Sequence, residues 1–317
     1  MSSRSVTFDR QPIEGILALS PLCMDESYEI DYDGIRENIQ WLEDQGVHGF
    51  IQFATMGQSM APSEEEFDRV AEVCAEAADD ITYILGSSAP NQQEAMRRAK
   101  KAEAVGADGT LLELPYMIPL QQEWVGDFYS AFDEELEELG IIVYNYPPAT
   151  DVDITPETWQ EELIELDAVK AVKDSNYATD HYDRILNLSD QVNVISPYDC
   201  PFWHDSQLGG QGFIGILTWA APQTMLRFYE ECRAGNHHDE WVREVNSTLA
   251  EVWGDVASLP DRPMGSNSPA ILHELADLSD RPTGPVRDPY RRLHGEAVEA
   301  LHEAVEPLRA IERRLPA

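Results

Sequence analysis

The sequence predicts an α/β fold, a (β/α)8 TIM barrel with a C-terminal helical extension. The first reason is a regular alternation of short apolar runs with amphipathic segments, which is typical of parallel strands joined by helices. The second is their number, because eight such units close a barrel. The third is the apolar run 169–175, which has the composition of a buried parallel strand between two helices.

The predicted strands share a short apolar run bounded by turn-forming residues. They are 16–22, 49–55, 82–88, 109–115, 140–146, 169–175, 192–196 and 212–217. The helices between them show amphipathic patterns and start signals, such as the capping box of Ser63 with Glu66 and the first-turn proline Pro156. They are 32–45, a segment beginning at 63, 91–104, 121–139, 155–166, 180–188, 201–208 and 222–232.

The division into domains follows from these elements. Residues 13–221 are predicted to form the barrel, and residues 222–317 to form helices packed on it, with a proline-rich break at 281–289. A doubly wound open sheet is the alternative, and it would usually need a glycine-rich loop between a strand and a helix. Residues 210–215 fit G-x-G-x-x-G, but a strand follows instead of a helix, which favours the barrel.

Composition limits the class of protein. The chain has 317 residues, 43% hydrophobic and 9% aromatic, so a large folded core is expected. No apolar run reaches the roughly 18 residues that span a bilayer. Residues 1–10 lack the apolar segment of a signal peptide, and the four cysteines are far apart without metal-ligand spacing. These features predict a cytoplasmic protein with reduced thiols.

The formal net charge is −37, and the acidic residues are spread over the predicted helices. Such a surface repels nucleic acid and anionic membranes, so neither is an expected partner. Only 4 of the 22 basic residues are lysines. Diffuse acidity with so few lysines indicates a halophilic protein, because high salt screens the self-repulsion.

Two of the four lysines, Lys170 and Lys173, fall on one predicted strand and must face opposite sides of it. A buried ammonium is costly, and an amine that has lost its proton can attack a ketone to form a Schiff base. The alternative is a strand-end lysine that reaches solvent or pairs with Asp174. Lys173 is the candidate, because it lies where barrels place their reacting groups.

Two more candidates lie at the same end of the predicted barrel. Tyr144 ends the strand before Lys173, and a phenol beside an amine suits proton transfer. Thr55 ends the second strand in a turn whose N–H groups and hydroxyl suit a carboxylate. The alternatives are a core tyrosine and a helix-entry threonine. No cluster of His, Asp and Glu is evident at this rim, so no metal site is predicted.

These residues resemble the motifs of the class I, pyruvate-dependent aldolase family that contains dihydrodipicolinate synthase and N-acetylneuraminate lyase. The family's Gly-Thr-Thr-Gly-Glu turn is similar to residues 54–58, and its Tyr-Asn-x-Pro is similar to residues 144–147. Its Lys-Asp, Gly-x-Gly-x-Ile-Ser and late Arg-x-Pro motifs are similar to residues 173–174, 210–215 and 287–289. The order and spacing of the motifs make the set specific.

The resemblance implies roles for the candidate residues. Lys173 would form a Schiff base with the keto carbon of pyruvate or another small 2-keto acid, without an added cofactor. Tyr144 would relay protons, and Thr55 with the Met56 N–H would hold the substrate carboxylate. The substrate-binding set would be completed by Ile214, whose carbonyl would face the amine, and by Gly215. The family also implies a homo-oligomer, a tetramer.

Four positions depart from dihydrodipicolinate synthase. Its arginine for the carboxylate of the second substrate is Ala149 here, and the second tyrosine of its Pro-Tyr-Tyr is Met117. The second threonine and the glutamate of its turn are Met56 and Gln58. An altered pocket for the partner of pyruvate is therefore expected, and a lysine-biosynthesis synthase is not.

The expected function is a lyase, an aldolase that cleaves a 2-keto-3-deoxy sugar acid to pyruvate and an aldehyde. A dehydratase that expels water from the same imine is the alternative, and the sequence does not separate the two. A condensation like that of dihydrodipicolinate synthase is disfavoured by Ala149. A non-catalytic barrel that binds 2-keto acids stays open, because two methionines replace hydroxyl-bearing residues of the family.

Overall fold

The computed structural model describes residues 13–260 and 267–316. Eight parallel strands close into one barrel, in which each strand pairs with its neighbours in sequence and the last pairs with the first. The strands are β1 (Gly15–Leu19), β2 (Gly49–Gln52), β3 (Thr82–Gly86), β4 (Gly109–Glu113), β5 (Gly140–Asn145), β6 (Val169–Asp174), β7 (Asn193–Ser196) and β8 (Gly212–Gly215). The predicted fold class is confirmed.

The α-helices alternate with the strands and then continue beyond them. They are α1 (Tyr32–Asp44), α2 (Glu64–Ala77), α3 (Gln92–Val105), α4 (Gln122–Glu135), α5 (Pro147–Thr150), α6 (Pro156–Thr158), α7 (Thr179–Leu186), α8 (Phe202–Asp205), α9 (Pro222–Arg233), α10 (Glu240–Ala257), α11 (Ser268–Asp277) and α12 (Glu296–Glu312). The signal-peptide prediction concerns residues 1–10, which lie outside the described residues. Of the helices in the described ranges, none has the length and apolar character that a membrane crossing requires.

The strands are buried on both faces, which explains their nearly continuous apolar sequences. Every strand residue is buried apart from Thr82, Lys170 and Asn193, which are half-buried and lie toward the start of their strands. One face of the sheet fills the barrel interior and the other packs against the surrounding helices, so the core is continuous between them.

Local sequence sets the ends of several helices. The Ser63 side chain accepts a hydrogen bond from the Glu66 N–H at 3.2 Å, and the Glu66 carboxylate accepts one from the Ser63 N–H at 2.7 Å. This is the predicted capping box at the start of α2. The Asn91 side chain caps α3 as an acceptor. Helix α3 ends at Gly106, whose positive φ of 84° favours glycine.

The C-terminal helices extend the barrel at the end where the strands finish. Helix α12 packs against α9 and α10, while α11 packs against the one-turn helices Thr55–Gly57 and Leu217–Trp219 that follow β2 and β8. The extension therefore contacts the loops that form the barrel mouth. The predicted break at 281–289 is non-helical.

Several predicted boundaries are wrong. Strands β1, β3 and β8 end at Leu19, Gly86 and Gly215, two or three residues earlier than predicted, and helix α4 ends at Glu135. Three further cases are instructive. Strands β2 and β4 end at Gln52 and Glu113, earlier than predicted, because the apolar residues that follow them are buried in loops at the barrel mouth. The helix predicted at 155–166 is the single turn α6, followed by a π-helical turn over Trp159–Leu163.

Candidate active site

A cavity of about 480 Å³ opens at the C-terminal ends of the strands. This is the end at which barrels of this type carry their reacting groups. Its lining comes from most strands and from the C-terminal extension. The lining residues are Leu19, Ala54, Thr55, Met56, Leu111, Tyr144, Tyr146, Pro148, Lys173, Ser175, Tyr177, Pro197, Tyr198, Ile214, Ile216, Trp253, Ala257 and Ser268.

Lys173 lines this cavity near the end of β6, and its side chain is only 6% exposed. Burial lowers the pKa of the ammonium well below its ordinary value, while the negative charges of Glu113 and Asp174 partly oppose that shift. Lys170, by contrast, is half-buried near the start of the strand, with Asp167 and Asp133 nearby. The two lysines face opposite sides of the strand, as expected for residues three apart. Lys173 is the one in the cavity.

Tyr144 and Lys173 lie side by side, because they are partners in the register of β5 and β6. The Lys173 Nζ atom lies over the Tyr144 ring, 3.3 Å from its centroid, so the amine contacts the face of the phenol. The ring also stacks on Tyr146, with centroids 5.3 Å apart and planes within 12°. Burial raises the pKa of Tyr144 well above its ordinary value, so its hydroxyl keeps its proton at neutral pH.

The hydroxyl of Ser175 joins this pair. Lys173 Nζ donates to Ser175 Oγ at 3.4 Å. The same hydroxyl lowers the pKa of both Tyr144 and Tyr177, against the larger effect of burial. Amine, alcohol and two phenols thus lie around the same cavity as proton donors and acceptors. Sequence analysis did not single out Ser175 or Tyr177.

A buried polar network fixes the ends of β5 and β6 behind the cavity. The fully buried Asp174 accepts hydrogen bonds from the Asn145 side chain at 3.0 Å and from the Asn176 N–H at 2.7 Å, and His181 Nε2 lies 3.0 Å from it. Asn145 also accepts from the Ile154 N–H at 3.1 Å. Because these residues adjoin Tyr144 and Lys173 in sequence, the network holds both strand ends in place.

The turn after β2 brings Thr55 and Met56 to the cavity as a one-turn 3₁₀ helix, Thr55–Gly57. Its first N–H groups have no partner within the turn itself. Gln58 follows with a left-handed φ of 57° and is buried. Its amide nitrogen donates to the Arg287 carbonyl at 3.2 Å, and its amide oxygen accepts from the Arg287 N–H at 3.4 Å. The turn is thereby anchored to the C-terminal segment.

The end of β8, two strands from both β2 and β6, forms another wall. Ile214 and Ile216 line the cavity, whereas Gly215 is not among the lining residues and packs toward Thr218 and Ile16. Asp199, fully buried after β7, accepts hydrogen bonds from the N–H groups of Ile216 and Leu217 at 3.2–3.4 Å. These bonds fix the loop that carries the Ile216 side chain.

Sequence analysis missed Glu113, which ends β4 and is 5% exposed. The Thr55 hydroxyl donates to its carboxylate at 3.3 Å. Burial raises the pKa of Glu113, and the charge of Lys173 opposes that shift. One feature of the sequence could have identified it: Glu113 is the lone carboxylate in the apolar run 110–114. It also lies two residues after Leu111, which faces inward, so it faces the same side of the strand. Because the strand end was placed too late, Glu113 was not recognised as a rim residue.

The residues that depart from the synthase pattern lie in different places. Met117 is 88% exposed and has a positive φ of 80°, and Ala149 is exposed on α5. Met56 lines the cavity. In the described part of the chain, no group of three or more His, Cys, Asp or Glu side chains is arranged to hold a metal ion.

Comparison with known sequences identifies a family. The sequence model of the "Dihydrodipicolinate synthetase family" matches residues 12–308. A 4-hydroxy-tetrahydrodipicolinate synthase of Methanococcus aeolicus is 26% identical over 278 residues, which cover 87% of this chain and 93% of that protein. The same-named protein of Syntrophus aciditrophicus is 31% identical over 231 residues, covering 70% and 79%.

Solved structures of similar fold agree with this. A crystal structure of a dihydrodipicolinate synthase superposes with a TM-score of 0.82 at 25% identity, covering 93% of this chain and 99% of the other. A catalytic-lysine mutant of Ruminococcus gnavus sialic acid aldolase has a TM-score of 0.84 at 20% identity, covering 96% and 98%. At 20% identity, the second likeness concerns the fold alone.

Proposed function

Because this chain belongs to the dihydrodipicolinate synthetase family, and is therefore a class I lyase that works through a lysine Schiff base, we propose that Lys173 is the Schiff-base lysine and that the substrate is a 2-keto-3-deoxy sugar acid. The observation that carries the proposal is the Lys173 amine, buried at the C-terminal end of the barrel, in contact with the Tyr144 ring and at the wall of the cavity.

The reaction follows from these groups. The unprotonated amine attacks the keto carbon, water leaves, and an iminium ion forms. Tyr144 then relays the proton of the C4 hydroxyl: its oxygen accepts that proton as its own proton passes to water. The C3–C4 bond then breaks, which releases an aldehyde and leaves an enamine on Lys173. Protonation at C3 and hydrolysis release pyruvate and restore the amine. No added cofactor is needed, because the iminium ion accepts the electrons.

The substrate carboxylate is assigned to the Thr55–Gly57 turn. The Thr55 hydroxyl and the Met56 N–H are the proposed donors, since both residues line the cavity and the first N–H groups of the turn have no partner within it. Ile214 lies in β8 and lines the cavity. Its carbonyl is proposed to face the Lys173 amine. Gly215 adjoins it and is proposed to assist through its backbone.

The lining of the cavity supports a polyhydroxylated substrate. Lys173 is the one charged side chain among the described residues that line it. Hydroxyl-bearing lining residues are frequent, and they are Thr55, Tyr144, Tyr146, Ser175, Tyr177, Tyr198 and Ser268. Hydroxyl and aromatic groups suit a neutral polyol chain, whereas a second charged group on the substrate would need a cation such as the arginine that Ala149 replaces.

Oligomeric state, cellular location and salt dependence are part of the same proposal. Family members are commonly oligomeric, and this chain is proposed to be a homotetramer of the cytoplasm that works at high salt. Light scattering at about 2 M KCl, a concentration at which surface charge is screened within a few ångströms, tests the assembly. A monomer that turns over substrate at full rate contradicts the tetramer as a requirement for activity.

Product analysis tests the substrate and the reaction together. The enzyme is incubated at high salt with a panel of 2-keto-3-deoxy sugar acids, and pyruvate, aldehydes and dehydrated acids are measured. Pyruvate with an equimolar aldehyde supports the aldolase, whereas a dehydrated 2-keto acid without pyruvate assigns the dehydratase. Condensation of pyruvate with aspartate semialdehyde, at a rate above that of every sugar acid, contradicts the proposal.

A further inference from the structure

Glu113 lies in the same layer of the barrel as the two residues of the proposed reaction. In the sheet register Glu113 of β4 is the partner of Tyr144 of β5, which is the partner of Lys173 of β6. Residues paired in register across adjacent parallel strands point to the same face. Since Lys173 and Tyr144 line the cavity, the Glu113 side chain is directed into the barrel from two strands away.

Two hydrogen bonds hold Glu113 in place. Its carboxylate accepts from the Thr55 hydroxyl at 3.3 Å, and its N–H donates to Ser88 Oγ at 3.0 Å. The titratable groups that act on it or feel its charge are Lys173 on β6, the phenols of Tyr144 and Tyr146 at the end of β5, Tyr116 after β4, and Tyr129 on α4. Lys173 is the one cation in this set.

A buried carboxylate that shares a barrel layer with a buried amine, and feels its charge, has a specific consequence. Burial raises the pKa of Glu113 and lowers that of Lys173, while each charge favours the ionised form of the other. The two states of the pair, ammonium with carboxylate and amine with carboxylic acid, are therefore close in free energy. An enzyme that needs a neutral amine can reach it by moving one proton within the pair.

We propose that Glu113 is a further residue of the Schiff-base reaction, and that it holds the proton that Lys173 gives up before attacking the keto carbon. The inference rests on the proposed function of Lys173. In this proposal Glu113 acts on the protons of the Lys173 amine. Substrate carboxylate binding stays with the Thr55 turn.

The protons balance in this scheme. The Lys173 ammonium passes one proton to the Glu113 carboxylate through water in the cavity, and the neutral amine forms the C–N bond while the keto oxygen takes a proton from the Tyr144 hydroxyl. The carbinolamine nitrogen returns a second proton to Tyr144. Glu113 then returns its proton by the same path to the carbinolamine hydroxyl, the C–O bond breaks, and water leaves as the iminium ion forms. Two of the three ammonium protons are thus accounted for in the departing water, the third stays on the iminium nitrogen, and Glu113 is again ionised.

The first test measures the Lys173 amine without any keto acid. All four lysines are labelled with acetic anhydride across a pH series, and the extent at each is read by peptide mass spectrometry. Lys100 and Lys101, on the surface helix α3, serve as internal references. In Glu113→Gln the titration midpoint of Lys173 is expected to fall by about one pH unit, because the carboxylate no longer favours the ammonium. The matched control Glu157→Gln removes an exposed carboxylate paired with Arg184 and leaves the midpoint unchanged.

The second test measures imine formation with pyruvate by borohydride reduction, at a neutral pH where the wild-type pair of Glu113 and Lys173 holds one proton. Glu113→Gln is expected to slow trapping about 100-fold, because the proton donor to the leaving oxygen is lost. Glu113→Asp keeps the charge, so its midpoint stays near the wild-type value while trapping falls about tenfold. If Glu113→Gln folds poorly, the aspartate variant decides, and wild-type trapping in it overturns the proposal.

The two measurements separate the possible failures. An unchanged Lys173 midpoint together with unchanged trapping in Glu113→Gln overturns the role of Glu113 and leaves the Schiff base intact. Absence of trapping in the wild-type enzyme overturns the proposed function of Lys173, while the labelling still reports whether the two groups are coupled.

Discussion

Replacement of Tyr144 by phenylalanine separates the proton-carrying role of this residue from its packing. The substitution removes the hydroxyl and keeps the ring that contacts the Lys173 amine and stacks on Tyr146. Loss of the interaction of this hydroxyl with Ser175 should cost no more than about 1 kcal/mol of stability. Loss of the proton relay should lower kcat by about 100- to 10,000-fold, which corresponds to roughly 3–5 kcal/mol in the activation free energy.

A leucine at the same position removes the ring as well. Tyr144→Leu also loses the stacking and the contact with the amine, so its free energy of unfolding should fall by a further 1–3 kcal/mol or so. Turnover should fall as far as in Tyr144→Phe, because the missing group is the same hydroxyl. The matched control is Tyr83→Phe, which removes a buried hydroxyl that donates to the Ala71 carbonyl at 3.3 Å, outside the cavity lining.

Steady-state kinetics with the sugar acid that gives the highest turnover, together with urea unfolding, measure both quantities. The expected result is a large fall in kcat with KM within about threefold, because Tyr144 is not assigned to the substrate carboxylate. A Tyr144→Phe enzyme that keeps kcat within threefold of wild type would show that the hydroxyl carries no proton. A comparable loss in Tyr83→Phe would attribute the effect to damage of the barrel.

Three further predictions concern pH, salt and an ion pair. Because burial lowers the pKa of Lys173 well below its ordinary value, the rate of trapping with pyruvate should rise as the pH increases from mildly acidic to neutral and the ammonium loses its proton. A rate that falls across this range contradicts the assignment. Since the net charge is −37, the unfolding temperature should rise between about 0.1 M and 1 M KCl, over which the screening length shrinks from about 10 to 3 Å; a fall contradicts halophilic adaptation. Arg287→Ala removes two bonds of 2.8 Å to the half-buried Glu66 and should cost about 2–3 kcal/mol in urea unfolding. Arg184→Ala, whose ion pair is exposed, should cost less than about 1 kcal/mol, and equal losses would refute the role of burial.

Local signals in the sequence predicted much of the barrel. The capping box of Ser63 with Glu66 depends on residues three apart, and it forms as predicted. The strand starts are equally local, since glycine opens β2, β4, β5 and β8. The adjacency of Tyr144 and Lys173 follows from the order of strands in a barrel, because consecutive parallel strands are neighbours.

Features that depend on tertiary contacts were not predictable in this way. The strand ends were placed too late. Residues such as Ala54 and Leu114 are apolar because they are buried in loops at the barrel mouth, not because they belong to strands. His237 lies in a polar stretch of the sequence, yet it is buried, with its Nε2 atom 2.9 Å from the Ser206 hydroxyl. Glu113 lies in the same barrel layer as Lys173, and this placement depends on the register of three strands. No local pattern encodes that register.

The account depends most directly on which side chain captures the keto acid. Wild-type enzyme is incubated with pyruvate, reduced with borohydride and digested, and the peptides carrying each of the four lysines are examined by mass spectrometry. The account predicts one stable adduct, on Lys173, that is absent from Lys173→Arg. An adduct on Lys170, or an unmodified Lys173 in an enzyme that still cleaves its substrate, would contradict it.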